Sequence, residues 1–169
     1  MTFVNAAIAG DFNGKPIALK HLNWYLRDGR GQELNEDDNI EGWVKADSAL
    51  RAKVANFVVN NASRGLHYSG FFPFTQNEFV DQDYRYAFGT VDRLDVEVDW
   101  VSKTVKLWFM DSYEWHPVCP GFYTLLPGDG VRETNSLHAA LVELKDRDAA
   151  DYWMVGEATL PLSAFGFPP

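Results

Sequence analysis

From Leu94 to Met110 the chain follows a period of two, interrupted at Val101-Ser102-Lys103. Leu94, Val96, Val98 and Trp100 interleave with Asp95, Glu97 and Asp99. After Val101-Ser102-Lys103, the residues Val105, Leu107 and Phe109 resume the pattern. A period of two places one row in a core and the other in water, so this stretch predicts an antiparallel hairpin. Its outer row is acidic, with Lys103 and Lys106 near enough to pair across strands. Upstream the period is helical. Pro16 suits a first turn, and Leu19, Leu22 and Leu26 follow at helical spacing with Ala18 and Tyr25 beside them. Asp28-Gly29-Arg30-Gly31 ends that helix. A second, long helix is expected from Asp38 or Asn39, with Ile40, Trp43, Val44, Leu50, Val54, Phe57 and Val58 on its buried face. Asn60, Asn61 and Gly65 close it.

Between Leu66 and Tyr86 the run His67-Tyr68-Ser69-Gly70-Phe71-Phe72-Pro73-Phe74 is aromatic, glycine-punctuated and aperiodic, which predicts a packed loop. Beyond the hairpin, Pro117, Pro120 and Pro127-Gly128-Asp129-Gly130 mark a long loop. A short helix over 136–145 carries Leu137, Leu141 and Leu144, and a last strand runs from Trp153 to Leu162. The expected fold is α+β: N-terminal helices, over about 1–65, packed on a C-terminal antiparallel, twisted sheet or half-barrel over about 85–169. No repeat or linker interrupts the chain, so 1–169 is read as a single domain.

Composition narrows the partners. Of 169 residues, 46% are hydrophobic and 15% aromatic, which supplies a core and excludes intrinsic disorder. The net charge of -9 repels phosphate backbones and anionic lipid, so no nucleic acid is expected and a basic partner surface or a cation fits better. No apolar run approaches the ~18 residues of a membrane span. The N-terminal MTFVNAAIAGDFNGK shows neither a basic region nor a sustained apolar one, so a cleaved secretory signal is not expected. Cys119 is the single cysteine, which rules out an internal disulfide.

Asp111-Ser112-Tyr113-Glu114-Trp115-His116 concentrates two acids, a phenol and an imidazole just past a strong strand. A strand end opening into a loop holds functional groups rigidly yet accessibly. These residues could serve as metal ligands or an acid-base set. Alternatively, Asp111 caps a turn, Tyr113 and Trp115 pack inward, and Glu114 and His116 face water. The histidines His21, His67, His116 and His138 fall in no zinc-ligand spacing. His21 reads as a surface residue and His67 as half-buried. Serine-nucleophile and phosphate-loop motifs are missing from the sequence. The acids Glu33, Glu36, Asp37, Asp38 and Glu41 read as a solvated helix entrance, where negative charge complements the macrodipole.

The C-terminal half resembles bacterial antagonism toxins. The features that carry the resemblance are Ala87-Phe88-Gly89 before a long strand, an amphipathic hairpin, and the signature D-x-Y-[DE]-[FW], here Asp111-Ser112-Tyr113-Glu114-Trp115. Leu137-His138 through Glu143, then Ala150-Asp151-Tyr152-Trp153-Met154-Val155-Gly156, extend it, and His21-Leu22-Asn23-Trp24-Tyr25-Leu26 is similar to the helix that opens such domains. The named relatives in this resemblance are the colicin-M-like bacteriocins; families linked to type VI secretion and polymorphic toxins carry the same signature. Colicin-M-like enzymes cleave the lipid II peptidoglycan precursor beside its pyrophosphate with a divalent metal. The resemblance implies Asp111, Tyr113, Glu114, His116 and His138 as catalytic candidates, with Asp111 and Glu114 as weak ligands for Mg²⁺ or Ca²⁺. The His-Arg pair of the family signature D-x-Y-D-x5-H-R is replaced here by Pro120-Gly121.

The resemblance further implies synthesis in a bacterial cytoplasm without a signal peptide and export by a specialised secretion system to a target periplasm. Its implied partners are an immunity protein and a component of the secretion apparatus. The reading keeps two forms: a metal-dependent phosphodiesterase, or a non-enzymatic effector acting by protein or membrane binding. A third reading is a plain interaction protein docking through exposed Phe71, Phe72 and Phe74.

Overall fold

The structure, a computed structural model, describes residues 13–113 and 150–169. In chain order these form α1 (Pro16–Asn23), a π-helical turn (Trp24–Asp28), β1 (Leu34–Asn35), α2 (Asp37–Ala46), α3 (Ser48–Asn61), β2 (His67–Phe74), α4 (Gln82–Phe88), β3 (Val91–Asp99), β4 (Thr104–Tyr113) and β5 (Tyr152–Pro161). The strands make one five-stranded sheet in the order β1-β5-β4-β3-β2. The fold is α+β, with the helices mostly N-terminal and the sheet C-terminal. The β2–β3, β3–β4 and β4–β5 pairs are antiparallel, while β1 runs parallel to β5, so the sheet is mixed rather than wholly antiparallel.

The hairpin forms as its alternation predicts. Leu94 pairs with Phe109, Val96 with Leu107 and Val98 with Val105, and all six are buried. Lys103 closes the turn with a φ of 56°, while Asp99 Oδ1 accepts from the Val101 and Ser102 amides at 2.7 and 3.1 Å. Glu97 faces Lys106 in register, and Lys106 reaches Glu157 at 2.8 Å.

Elsewhere the structure departs from the sequence reading for identifiable reasons. The long second helix is two helices, because Asp47 breaks it. Buried and in extended conformation, Asp47 accepts from Ala49 N and Leu50 N to cap α3, and from Val80 N and Asp81 N across the core. The expected loop after Leu66 is instead β2 and α4. Gly70 lets β2 pass under α3, since a Cβ there would stand 2.9 Å from the Phe57 ring. Within β2, Phe74 is core, Phe72 is half-buried and Phe71 is exposed, so these three do not form one docking surface. His67 is exposed at the strand start rather than half-buried. On α1 the buried stripe is Ala18, His21, Leu22 and Tyr25, whereas Leu19 reaches solvent. Finally, β4 continues through Tyr113, so Asp111 and Tyr113 belong to the strand and not to the loop after it.

Long-range caps fix the helices to one another and to the sheet. Asp83 of α4 accepts from Ile17 N and Ala18 N at 3.1 and 2.8 Å, capping α1 from another helix. Asp37 Oδ1 accepts from Glu157 N at 2.8 Å, covering the open edge of β5. Gly156 allows this approach: a Cβ there would lie 2.9 Å from Ile40 and 3.2 Å from the Glu36 backbone.

Candidate functional site

The C-terminal end of β4, the start of β5 and the inner face of α1 converge on one cluster. Asp111 sits opposite Met154, and Tyr113 opposite Tyr152. Residues two apart on a strand share a face, so the two described members of the signature point toward the helices. Tyr113 is buried and its ring stacks on Tyr152, centroids 5.1 Å apart and 20° between planes. Asp111 is half-buried, and its Oδ1 accepts from Ser112 N at 2.8 Å. The other candidates Glu114, His116 and His138, and the helix expected over 136–145, lie outside the described residues.

The imidazole that the structure does bring to Tyr113 is His21, ring centroids 5.6 Å apart. His21 is 0% exposed, which corrects its reading as a surface residue. Tyr152 Oη lies 2.9 Å from His21 Nδ1 and donates to the His21 backbone oxygen at 3.2 Å. The other ring nitrogen, Nε2, faces Glu36 Oε2 at 3.3 Å. Glu36 is itself only 1% exposed, so the acidic run is not wholly solvated. Its carboxylate also accepts from Lys20 Nζ at 3.0 Å and from Asn39 Nδ2. A polar chain thus runs inward from Lys20 through Glu36 and His21 to Tyr152, with Tyr113 stacked on its end.

This network gives partners to the Glu36 carboxylate, His21 Nδ1 and the Tyr152 hydroxyl, whose burial would otherwise be costly, while His21 Nε2 faces Glu36 without a hydrogen bond. Burial alone pushes the Glu36 carboxyl upward. The close contact and charge of His21, with hydrogen bonds from Asn39 and Lys20, outweigh it and hold the group below its ordinary value of 4.5. The Tyr152 phenol is pushed far up by burial first, then by Tyr113 and the Glu36 charge, so it stays a neutral donor. Tyr25, 6.0 Å from Tyr113, is raised to about 12 by burial and by the charge of Asp151. Chemically, Glu36, His21 and Tyr152 can fix the Tyr113 ring and so the direction in which β4 leaves the sheet. Being enclosed, they act as positioning groups, and Asp111 is the less enclosed member of the signature.

The sequence reading puts both His21 and Glu36 in solvent, yet each leaves a trace of its burial. His21 stands in the i, i+3, i+4, i+7 stripe of Ala18, Leu22 and Tyr25. Glu36 follows Leu34 by two, the spacing of one strand face, and both are buried.

A depressed acid pKa makes stability depend on pH in one direction. The unfolded chain binds the Glu36 proton more readily, so this contribution is present above the unfolded value and disappears as pH falls through the folded one. Denaturation at intervals from about pH 7 to about pH 3 should show stability falling below about pH 4.3. Glu78, held down by Lys53 and Thr75 against its own burial penalty, titrates in the same direction. The Glu36→Gln variant isolates the buried contribution: it should be less stable near neutrality with a shallower acid limb. An unchanged acid limb would contradict this assignment.

Comparisons with protein-family models, curated proteins and solved structures return no match to this chain. Among the described residues, no group of three His, Cys, Asp or Glu is placed to hold a metal ion, and no helix is long and apolar enough to cross a membrane.

Proposed function

We propose that the chain is an effector domain of interbacterial antagonism whose activity centres on Asp111 at the end of β4. The reading is supported by the coincidence of two features. Asp111 and Tyr113, of the signature resembling the colicin-M-like toxins, lie at the end of β4, and that end is anchored by a buried carboxylate, imidazole and phenol. Of the two signature residues described, Tyr113 is the anchor and Asp111 the half-buried carboxylate beside it. In the enzymatic form, the substrate is a lipid-linked peptidoglycan precursor, and Asp111 with Glu114 would offer carboxylates to Mg²⁺ or Ca²⁺ beside its pyrophosphate. Asp111 is the described member of that pair; among the described residues no group of three His, Cys, Asp or Glu is placed to hold an ion. Export through a specialised secretion system and neutralisation by an immunity protein belong to the same proposal.

A non-enzymatic effector is the second reading. It is favoured by the burial of His21, Glu36, Tyr152 and Tyr113, which leaves those groups out of reach of a substrate. Expression with and without a periplasm-directing leader in a sensitive bacterium tests the proposal. Lysis confined to the periplasmic form is expected; normal growth with both forms would refute it. Calorimetric titration with Mg²⁺ and Ca²⁺ should give weak binding, with a Kd of about a millimolar or more. Tight binding without substrate would show a fuller ligand set than Asp111 and Glu114.

A further inference from the structure

Among the described residues, two other than glycine hold a positive φ, Lys103 at 56° and Arg30 at 48°. That conformation is unfavourable for a residue with a Cβ and persists only where its surroundings over-determine it. Lys103 has compensating contacts: its carbonyl accepts from Leu162 N at 2.9 Å, and its ammonium donates to Pro169 O at 2.7 Å. Arg30 is exposed, and among the described residues its guanidinium makes no hydrogen bond or ion pair. A glycine or an asparagine would form the same turn with less strain. The chain therefore keeps an arginine where its backbone favours something smaller.

The turn that carries it is tightly held. It follows the π-helical turn Trp24–Asp28, an uncommon element found disproportionately at functional sites. Gln32 N donates to Gly29 O at 2.8 Å, closing the chain over Arg30 and over Gly31, whose φ is 77°. Trp24 packs on Gly29, where a Cβ would run into the indole, and its Nε1 donates to Gln32 O at 2.9 Å. On the side of the sheet, Ala150 N donates to Tyr25 O at 3.0 Å, and a Cβ on Gly31 would stand 3.7 Å from both Ala150 and the Asp151 carbonyl. The next residue, Tyr152, pairs with Tyr113. Arg30 is thus fixed beside the start of β5, at the end of the sheet where β4 finishes.

We propose, resting on the reading that places the site at the end of β4, that Arg30 is an anion-binding residue of that site and receives a phosphoryl group of the substrate. A guanidinium presents its N–H donors in a planar fork that matches two phosphate oxygens, and it keeps its charge throughout the physiological pH range. Without an ion pair among the described residues, that fork is open to a ligand. The net charge of -9 confines the attraction to short range. A single phosphate or pyrophosphate group on an otherwise neutral molecule is accepted, whereas a polyanion is repelled.

The test is calorimetric titration of the whole chain with inorganic pyrophosphate at constant ionic strength, beside lysis by the periplasm-directed protein. Saturable binding in the millimolar range is expected of the wild type. Arg30→Asn should weaken it by about tenfold or more, and Arg30→Lys, which keeps the charge without the fork, should fall between the two. The melting temperature of Arg30→Asn should equal or exceed that of the wild type, because asparagine enters the left-handed region more readily; a purely structural role would lower it. Lysis by Arg30→Asn should fall together with binding. The proposal is overturned if pyrophosphate does not bind the wild type, if it binds Arg30→Asn equally well, or if that variant lyses cells like the wild type. Each of these results leaves the Asp111 reading standing, since that is judged by wild-type lysis in the two compartments. No lysis by the wild type would overturn that reading instead, with loss of pyrophosphate binding in Arg30→Asn still marking Arg30 as an anion site.

Discussion

Replacing Glu36 with alanine should destabilise the protein by about 3–5 kcal/mol, because it removes a buried acceptor at about 1–3 kcal/mol for each buried donor left unmatched. His21 Nε2 would lose its facing carboxylate inside a fully buried site, and Asn39 and Lys20 would lose their acceptor. The melting temperature should fall by about 6–20 °C for a chain of this size. Lys20→Ala is the comparison. Its side chain is 44% exposed, so losing the same carboxylate contact from the outside should cost no more than about 1 kcal/mol. Urea denaturation of both variants, at constant m-value, distinguishes the two. Equal losses would place the stabilisation in the Lys20 contact instead of the His21 contact.

Val98→Asp should be comparably severe, costing several kcal/mol or abolishing folding. Val98 is fully buried, between Tyr68 on β2 and Val105 on β4, and no cation faces that point of the sheet in register. One position away, Glu97→Gln should change stability by no more than about 0.5 kcal/mol, since its side chain is exposed and its Lys106 neighbour already binds Glu157. Circular dichroism melting of the two neighbours is sufficient. If both were silent, or both severe, the assignment of faces along β3 would be wrong.

How far the structure can be read from the sequence depends on how regular each segment is. The β3–β4 hairpin is legible because its inner row is uniformly apolar and the outer row of β3 is charged, even though Trp108 and Met110 make part of the outer row of β4 apolar. Segment β2 is not, because Tyr68 and Phe74 point inward while Phe71 points out, and aromatic residues on both faces erase the alternation. The α1 face was misaligned by a single polar residue. A histidine among apolar positions looks like the solvent side until its partners are known, and those partners, Glu36 and Tyr152, are distant in sequence. Glu36 was masked in turn by the acids around it. Asp47 broke a helix whose apolar stripe continues on both sides, because a buried cap replaces a turn without disturbing the period. At the candidate site, the inward packing of Tyr113 is one of two local readings and the strand runs three residues beyond the Met110 where its alternation ends, whereas the network that holds Tyr113 comes from α1, α2 and β5 and has no local signature.

The central claim is that Asp111 carries the activity and the buried network only supports it. The measurement that bears on it most directly is lysis by periplasm-directed Asp111→Asn compared with wild type, with melting temperature recorded for both proteins. The predicted result is lost lysis with a melting temperature within about 2–4 °C of wild type. Undiminished lysis by the variant, or a loss that simply follows unfolding, would contradict it.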